Sequence, residues 1–145
     1  MNLKVYDTDF AALVEDICGN FTEIATSRRI NFKFSNHAGS DRVWVDHDCI
    51  DKMLMNLLSN AFKFTPEGRL IQVSVFADEK TVSLQVRDEG PGIPKDKQRK
   101  LFNRFVSFNA DKSKPSTGIG LSMVKDLADK HGARISIDSE EGQGT

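Results

Sequence analysis

This chain is poor in the residue types and patterns that most quickly assign a protein to a class. It has 2 cysteines, Cys18 and Cys49, each among apolar residues at helical spacing, which favours reduced, buried thiols over a disulfide framework. Its 3 histidines and scattered acids are not spaced like the ligands of a zinc site. The composition therefore argues against a disulfide-rich secreted scaffold and against a zinc module.

The chain also lacks a charge imbalance and a long apolar run. Lys and Arg number 20 against 21 Asp and Glu, for a net charge of −1, so no general attraction to nucleic acid is expected. No apolar stretch reaches membrane-spanning length, and the N-terminus has no signal-peptide pattern. We expect one globular, cytoplasmic domain over residues 1–145, with no nucleic-acid partner and no direct membrane contact.

Hydrophobic periodicity predicts the elements of the first half of the chain. Apolar residues recur at three and four over 9–27, which predicts an amphipathic helix with Asp7 or Thr8 as its N-cap. Alternation predicts strands around 30–34 and 43–45, with a turn at 36–40 between them. Asp46 is then placed to cap a helix that ends at 65–68, where Pro66 cannot continue it.

The second half of the chain predicts more strand. Two alternating strands lie at 70–77 and 81–87 with a tight connection between them, and helical spacing resumes at 119–130 before a strand at 133–137. Between them, a short basic helix at 95–102 precedes a long loop over 103–117, of the kind that often serves as a functional lid. This order predicts an α+β fold, a two-layer α/β sandwich with helices on one face of a mixed, mainly antiparallel sheet.

The helix after Asp46 carries an unusual polar edge. Asn56, Asn60 and Lys63 fall within about 60° of one another around its axis, and asparagine is a mediocre helix former. An amide oxygen can ligate a hard cation, while the amide NH₂ and the lysine can reach phosphate oxygens. This edge suits a magnesium–polyphosphate, although a half-buried helix whose polar edge meets water has the same pattern.

Two glycine-rich stretches are the next candidates for chemistry. Asp88-Glu-Gly-Pro-Gly92 follows a strand and places a carboxylate beside backbone that a flat ligand can approach, so that the carboxylate could accept a hydrogen bond from an adenine amino group. Thr117-Gly-Ile-Gly120 opens a helix, where N–H groups converge on an anion. Alone, each also fits an ordinary turn or helix start. The spacing excludes a P-loop, and no strand leads into the second stretch as a dinucleotide-binding fold requires.

The predicted lid has its own candidates. Phe102 and Phe105 are spaced to anchor one end of it, either as packing residues or as part of a site. Arg104, Lys112 and Lys114 are cations near it, although charged loop residues are usually solvated surface.

Together, in this order, the motifs carry a family resemblance. Asn-Leu-Leu-Ser-Asn-Ala-Phe-Lys-Phe-Thr at 56–65 and Asp-Glu-Gly-Pro-Gly-Ile-Pro at 88–94 are specific, and nearly the whole chain is covered. The chain resembles the ATP-binding catalytic domain of sensor histidine kinases, within the superfamily shared with gyrase and mismatch-repair ATPases. The resemblance implies the Bergerat-type form of the two-layer sandwich, with ATP and Mg²⁺ as ligands.

The resemblance also implies a set of site residues. They belong to the family's asparagine, phenylalanine and glycine boxes, at Asn56, Asn60, Lys63, Asp88, Gly90, Gly92, Phe102, Arg104, Phe105, Thr117, Gly118, Gly120, Leu121, Gly142, Gly144 and Thr145. By resemblance, Asn60 ligates Mg²⁺, Lys63 and Arg104 reach phosphate, Asp88 takes the adenine amino group, and the Thr145 hydroxyl lies near the adenine.

Position 56 narrows the expected reaction. The hydrolysing ATPases of the superfamily carry glutamate there as a general base for water, and Asn56 cannot take that proton. Poor hydrolysis and transfer of the γ-phosphate to a histidine are therefore expected. His37, His47 and His131 are not followed by the family's phosphoacceptor pattern, so the resemblance implies a separate dimerisation and phosphoacceptor domain as partner, and indirectly a response regulator.

Two matters stay open at this level. In the family, a last strand follows the residues that match Gly144 and Thr145, and we expect that strand to be missing beyond Thr145. An anti-sigma-type serine kinase shares these boxes but phosphorylates a hydroxyl, and a non-catalytic nucleotide-binding or docking module is a further alternative.

Overall fold

A computed structural model gives the fold over residues 3–79, 81–93, 120–131 and 142–145, with the backbone alone at 120–123 and 130. The helix predicted at 95–102, the loop at 103–117 and the strand at 133–137 lie outside the described residues. Within them, the elements follow in this order: β1 Val5–Asp9, α1 Phe10–Cys18, a 3-10 turn Gly19–Phe21, α2 Thr22–Arg28, β2 Asn31–His37, β3 Arg42–Asp46, α3 His47–Phe64, β4 Leu70–Ala77, β5 Val82–Asp88 and α4 Gly120–Lys130.

The described strands form two sheets. β1 pairs with β3 antiparallel, while β2, β4 and β5 form a sheet in that order, with β2 and β4 parallel and β4 and β5 antiparallel. The connection between the parallel strands β2 and β4 includes α3, as a crossover requires. The α+β architecture and the mainly antiparallel mixed pairing are confirmed.

The N-terminal region differs from its prediction. The single helix expected at 9–27 is wrong, because Gly19 begins a 3-10 turn that separates α1 from α2. Asp7 and Thr8 do not cap α1, since both belong to β1, a strand that periodicity missed because its residues are mostly polar and exposed. The N-cap is Asp9, whose carboxylate accepts a hydrogen bond from Ala12 N at 3.1 Å.

The core joins α1 and α3 to the larger sheet. Alternate residues of β4 are completely buried, and they belong to one apolar cluster with residues of both helices: Ile71, Val73, Val75, Val14, Leu54 and Leu58. Burial of each such side chain is worth about 1.5–3 kcal/mol. This cluster fixes which side of α3 is inward and therefore which side remains for other contacts.

Aromatic packing holds the C-terminal half of α3. Phe62 stacks on Phe21 with ring centroids 5.5 Å apart and meets Phe32 edge-on at 5.3 Å. Offset and edge-to-face contacts of this kind add about 0.5–1.5 kcal/mol beyond burial. Since Phe62 lies between Asn60 and Lys63, this packing also positions those two polar residues.

Both ends of α3 are defined by local contacts. The predicted cap is confirmed, since Asp46 Oδ1 accepts from Cys49 N at 3.1 Å, and its Oδ2 also accepts from Lys4 N at 2.8 Å. At the other end, Thr65 N donates to Ala61 O at 2.9 Å, and Pro66 follows. Neither α3 nor any other described helix is both long and apolar enough to cross a bilayer.

Candidate nucleotide-binding site

One edge of α3 carries three of the predicted site residues. The inward side buries Leu54, Leu58, Ala61 and Phe62, whereas Asn56, Asn60 and Lys63 are half-buried. They are neither packed into the core nor fully hydrated, and a polar side chain at such a position can contact a ligand.

The two asparagines of this edge differ in their own contacts. Asn56 Nδ2 donates to Lys52 O at 2.7 Å, one turn back along the helix, which holds this side chain against its own backbone. The Asn60 side-chain amide has no hydrogen bond to another residue in the described part of the chain. Of the two, Asn60 is therefore the one whose side chain is not occupied by the helix.

The first glycine stretch lies directly against the end of this helix. Asp88, the last residue of β5, accepts a hydrogen bond from Gly90 N through Oδ1 at 2.8 Å. Gly90 is buried, and a Cβ there would lie 2.9 Å from Asp88 Oδ1 and 3.4 Å from Phe64 O. Only glycine fits this approach comfortably, and Gly92 has a positive φ of 73°, which also favours glycine.

The Asp88 carboxyl is partly withdrawn from water. Burial raises its pKa above the usual aspartate range, and the N–H groups of Gly90 and Thr145 oppose this only in part. A half-buried carboxylate of this kind is a strong acceptor for a ligand N–H, because fewer water molecules compete for it.

The C-terminal residues pair with the same aspartate. Asp88 N donates to Thr145 O at 2.7 Å, and Thr145 N donates to Asp88 O at 3.2 Å, as in a short antiparallel bridge. Gly144 has φ 124°, and a Cβ there would overlap the Asp88 carbonyl oxygen. Gly142 N also bonds to Pro91 O, at 2.6 Å. The predicted glycine-box residues Gly142, Gly144 and Thr145 therefore lie against the first glycine stretch, Asp88–Gly92.

The second glycine stretch is described only from its helical end. Within the described residues α4 runs over Gly120–Lys130, so Gly120 and Leu121 lie in its first turn. The helix packs against α3 and buries Val124, Leu127 and Ala128. Five predicted site residues lie outside the described part of the chain: Phe102, Arg104, Phe105, Thr117 and Gly118.

Two neighbours of the site were missed by sequence reasoning. Phe64 is half-buried and its carbonyl lies beside Gly90, a position that the aromatic between Lys63 and Thr65 could have indicated. Glu89 accepts from Leu70 N through Oε1 at 2.8 Å, and its own N donates to Leu70 O at 3.0 Å, so it fastens the loop to β4. No sequence pattern distinguishes Glu89 from an ordinary surface acid.

The arrangement fits a flat base attached to a charged group. Asp88, with its half-buried carboxylate, lies next to Gly90 and Gly144, where other atoms come too close for a Cβ. Gly90 also lies against the C-terminal end of α3, the helix that carries the amide and ammonium groups. Amide oxygens suit a hard cation, and ammonium and amide N–H groups suit phosphate. The donor set therefore fits a nucleotide with a magnesium ion.

The comparison with protein families agrees with this geometry. Residues 45–145 match the family described as histidine kinase-, DNA gyrase B-, and HSP90-like ATPase. The chain belongs to this family. As a member of this ATPase family it is an ATP-binding domain, and its α+β fold is the one expected.

Individual relatives place the chain more narrowly. It is 34% identical over 149 residues to the sensor histidine kinase TmoS of Ectopseudomonas mendocina, covering 99% of this chain but 15% of that protein. The catalytic domain of histidine kinase ThkA has 26% identity and a TM-score of 0.84, covering 98% of this chain and 91% of that one. ThkA in complex with the response regulator protein TrrA has 27% identity and a TM-score of 0.67, covering 72% and 31%.

These relatives confirm the resemblance to the ATP-binding catalytic domain of sensor histidine kinases, an enzyme class. The anti-sigma-type and docking alternatives are not favoured by them. The chain spans 15% of TmoS, so the relatives contain much that this chain does not. The roles of individual site residues stay predictions.

Proposed function

We propose that this chain is the nucleotide-loading part of a protein-histidine kinase, which binds Mg-ATP and presents its γ-phosphate to a histidine on a separate dimerisation domain. The observation that carries the proposal is the convergence of three distant segments. Asp88 bonds to both Gly90 and Thr145, while the loop at Gly90 lies against the end of the helix that carries Asn60 and Lys63.

The base end of the nucleotide belongs at Asp88. Its partly buried carboxylate accepts the adenine amino group, a choice that disfavours guanine, whose corresponding position is an oxygen acceptor. Thr145, bonded to Asp88 through its backbone, places its hydroxyl near the base. Glycine at positions 90 and 144 lets these two segments pack against Asp88 without a Cβ, which fixes the surroundings of that carboxylate.

The phosphate end belongs along α3 and at the start of α4. Asn60 would hold the magnesium ion, Lys63 and Arg104 would offset phosphate charge, and backbone N–H groups from Gly118 to Leu121 would donate hydrogen bonds to phosphate oxygens at the helix N-terminus. When bound, the ion neutralises phosphate charge and aligns the γ-phosphate for transfer. Phosphoryl transfer asks the protein mainly for such positioning.

Asn56 suits transfer better than hydrolysis. Its amide is hydrogen-bonded to Lys52 O and cannot accept a proton from water, so the γ-phosphate is preserved for a nitrogen nucleophile. The three histidines of this chain are engaged elsewhere: His37 stacks on Phe76 at 4.9 Å, and His47 and His131 are hydrogen-bonded near the start of α3. The acceptor histidine therefore belongs to another domain.

The wider assignment follows from the class of relatives. A response regulator would receive the phosphate after the histidine, in line with the ThkA complex. The domain would work on the cytoplasmic side, where ATP is available.

Calorimetric titration of the protein with magnesium and a non-hydrolysable ATP analogue tests the binding step. We expect binding that weakens when magnesium is removed, and a guanine analogue should bind more weakly. Absence of binding by either nucleotide would overturn the proposal.

Transfer is tested in the full-length kinase with radiolabelled ATP. Acid-labile, base-stable label identifies phosphohistidine and supports the proposal. Acid-stable label on a hydroxyl would overturn it in favour of a serine kinase.

A further inference from the structure

His131 joins the end of α4 to the start of α3. Its Nε2 lies 3.2 Å from the backbone nitrogen of Asp46, a residue 85 positions away, and its Nδ1 lies 2.9 Å from Leu127 O. The histidine is half-buried and follows α4 directly, with its own N donating to Ala128 O at 3.0 Å. One side chain therefore contacts the backbone of both helical segments.

These two contacts define the protonation state of the ring. The backbone N–H of Asp46 can only donate, so Nε2 must accept, while the carbonyl of Leu127 can only accept, so Nδ1 must carry the proton. Only the neutral tautomer with its proton on Nδ1 satisfies both. A proton on Nε2 would place two donors against each other.

The neighbouring His47 has the opposite requirement. The Thr8 hydroxyl donates to Tyr6 O at 2.8 Å, so its single hydrogen is committed and it accepts from His47 Nε2 at 2.7 Å. His47 therefore carries a proton on Nε2. The two histidines provide an internal contrast by which the His131 tautomer can be recognised.

The hydrogen bond between Asp46 N and His131 also affects where the N-terminal end of α4 lies along α3. α4 packs along α3, and its C-terminal end is bonded to the residue before α3, so the two helices run roughly antiparallel. The 11 residues of α4 span about 16 Å at 1.5 Å per residue. The same distance along α3 from His47 reaches about Leu58, which lies between Asn56 and Asn60.

We propose that His131 is a positioning residue for nucleotide binding, whose hydrogen bond to Asp46 N sets the axial register of the phosphate-binding start of α4 against the Asn56–Asn60 segment of α3. The inference rests on the proposed function, because register matters only if both helices contact one nucleotide. Burial of Val124, Leu127 and Ala128 holds α4 onto α3, but apolar contacts are not directional. The hydrogen bond from Asp46 N to His131 has a preferred distance and angle, and it can therefore set the position of α4 along the helix axis.

Two amide substitutions distinguish the hydrogen bond from Asp46 N from the hydrogen bond to Leu127 O. In His131→Gln the amide oxygen reaches about as far as Nε2 and can accept from Asp46 N, whereas in His131→Asn the shorter amide reaches only the Nδ1 position and can still bond to Leu127 O. We expect His131→Gln to bind the magnesium complex of the ATP analogue within about twofold of the original protein. We expect His131→Asn to bind about three- to tenfold more weakly, the loss of one hydrogen bond to a buried amide.

The protein without nucleotide gives an independent readout. Long-range ¹H–¹⁵N correlation spectra should show His131 with its proton on Nδ1 and His47 with a proton on Nε2, and hydrogen exchange at the Asp46 amide should accelerate in His131→Asn but not in His131→Gln. Exchange at the amides of β4 serves as the control for global unfolding.

The outcomes are separable from those of the proposed function. If the original protein binds no nucleotide, the proposed function fails and the positioning role fails with it. If it binds, equal affinity of the two amide variants, a proton on Nε2 of His131, or loss of folding in both variants would each overturn the positioning role alone.

Discussion

Asp46 at the end of β3 and Asp88 at the end of β5 are both strand-ending aspartates, but their contacts differ. Asp46 is 8% exposed, yet both of its carboxylate oxygens accept backbone N–H groups, from Cys49 and from Lys4. Asp88 is more exposed. Its Oδ1 accepts from Gly90 N, but the effect of burial on the pKa of its carboxyl is larger than the effect of the backbone hydrogen bonds. The same residue type in the same local position is used differently.

The pKa directions express this difference. The backbone hydrogen bonds from Lys4 and Cys49 lower the pKa of Asp46 and outweigh its burial, whereas burial raises the pKa of Asp88. Ionised Asp46 therefore stabilises the fold above the pKa of an unfolded aspartate, about 3.9, and this stabilisation is lost as pH falls through its lower folded pKa. For Asp88, the stabilising contribution belongs to the protonated form and is lost as pH rises through its raised folded pKa.

Both carboxylate oxygens of Asp46 accept backbone N–H groups, so this carboxylate is engaged in structural contacts within the fold. The Asp88 carboxyl also accepts backbone N–H groups, but burial outweighs them, so its ionised form costs the fold stability and a donor on a ligand would offset part of that cost. Asp46 therefore caps α3, whereas the proposed role of Asp88 is to recognise the base. This distinction yields three predictions, beginning with the largest expected effect.

Gly144→Ala should break the Asp88 region most severely. The new Cβ would overlap the Asp88 carbonyl oxygen, so Thr145 must move away and its backbone pairing with Asp88 is lost. We expect nucleotide affinity to fall by more than about a hundredfold, with a loss of unfolding free energy above the roughly 1–3 kcal/mol of positive-φ strain alone.

The matched control is Gly142→Ala. Gly142 also has a positive φ, 85°, but a Cβ there would have no atom within 4 Å, so it reports the strain without the overlap. Chemical denaturation and calorimetric titration measure both quantities. Equal losses in the two variants would show that Gly144 matters only for its backbone angle.

Asp88→Asn should separate binding from stability. We expect affinity for the ATP analogue to fall by about ten- to a hundredfold, the loss of a charged acceptor worth about 1.5–3 kcal/mol. Since burial disfavours the ionised form, the melting temperature of the nucleotide-free protein at pH 7 should be unchanged or higher.

Glu89→Gln serves as the control for charge. It removes the neighbouring negative charge while keeping an acceptor for Leu70 N, and affinity should stay within about twofold because the half-buried Glu89 side chain is not among the proposed ligand contacts. A lower melting temperature for Asp88→Asn, with unchanged affinity, would make Asp88 a structural residue like Asp46.

Asp46→Ala should give the opposite result, with the smallest effect on binding. Loss of the cap of α3 should lower the melting temperature by several degrees at pH 7, and the difference from the original protein should shrink as pH falls below about 4. Affinity measured well below the melting temperature should change less than about threefold.

Asp48→Ala is its matched control, since Asp48 is exposed in the first turn of the same helix and is not the cap. Thermal melts across pH 3–7 should therefore show a smaller effect for this variant. A larger loss of nucleotide affinity in Asp46→Ala than in Asp88→Asn would remove the distinction between the two aspartates.

Local chemistry explains which parts of the fold were predictable. Asp46, Pro66 and the apolar side of α3 act within a few residues, so the bounds of that helix followed from the sequence. β1 did not, because its polar residues form a strand only by pairing with β3, and Gly19 divided a helix that periodicity alone had joined. At the site, the motifs were found from residue types, but the contact between Phe64 O and Gly90 was not.

The amino-acid sequence was enough to predict amide and ammonium groups on one edge of α3 and a carboxylate followed by glycines after β5. Helical periodicity and residue type suffice for that, because both act over short distances along the chain. The contacts of Gly144 and Thr145 with Asp88, and of His131 with Asp46, are known only from the folded protein. Such contacts depend on how the elements pack, since no local rule relates residues so far apart in the chain.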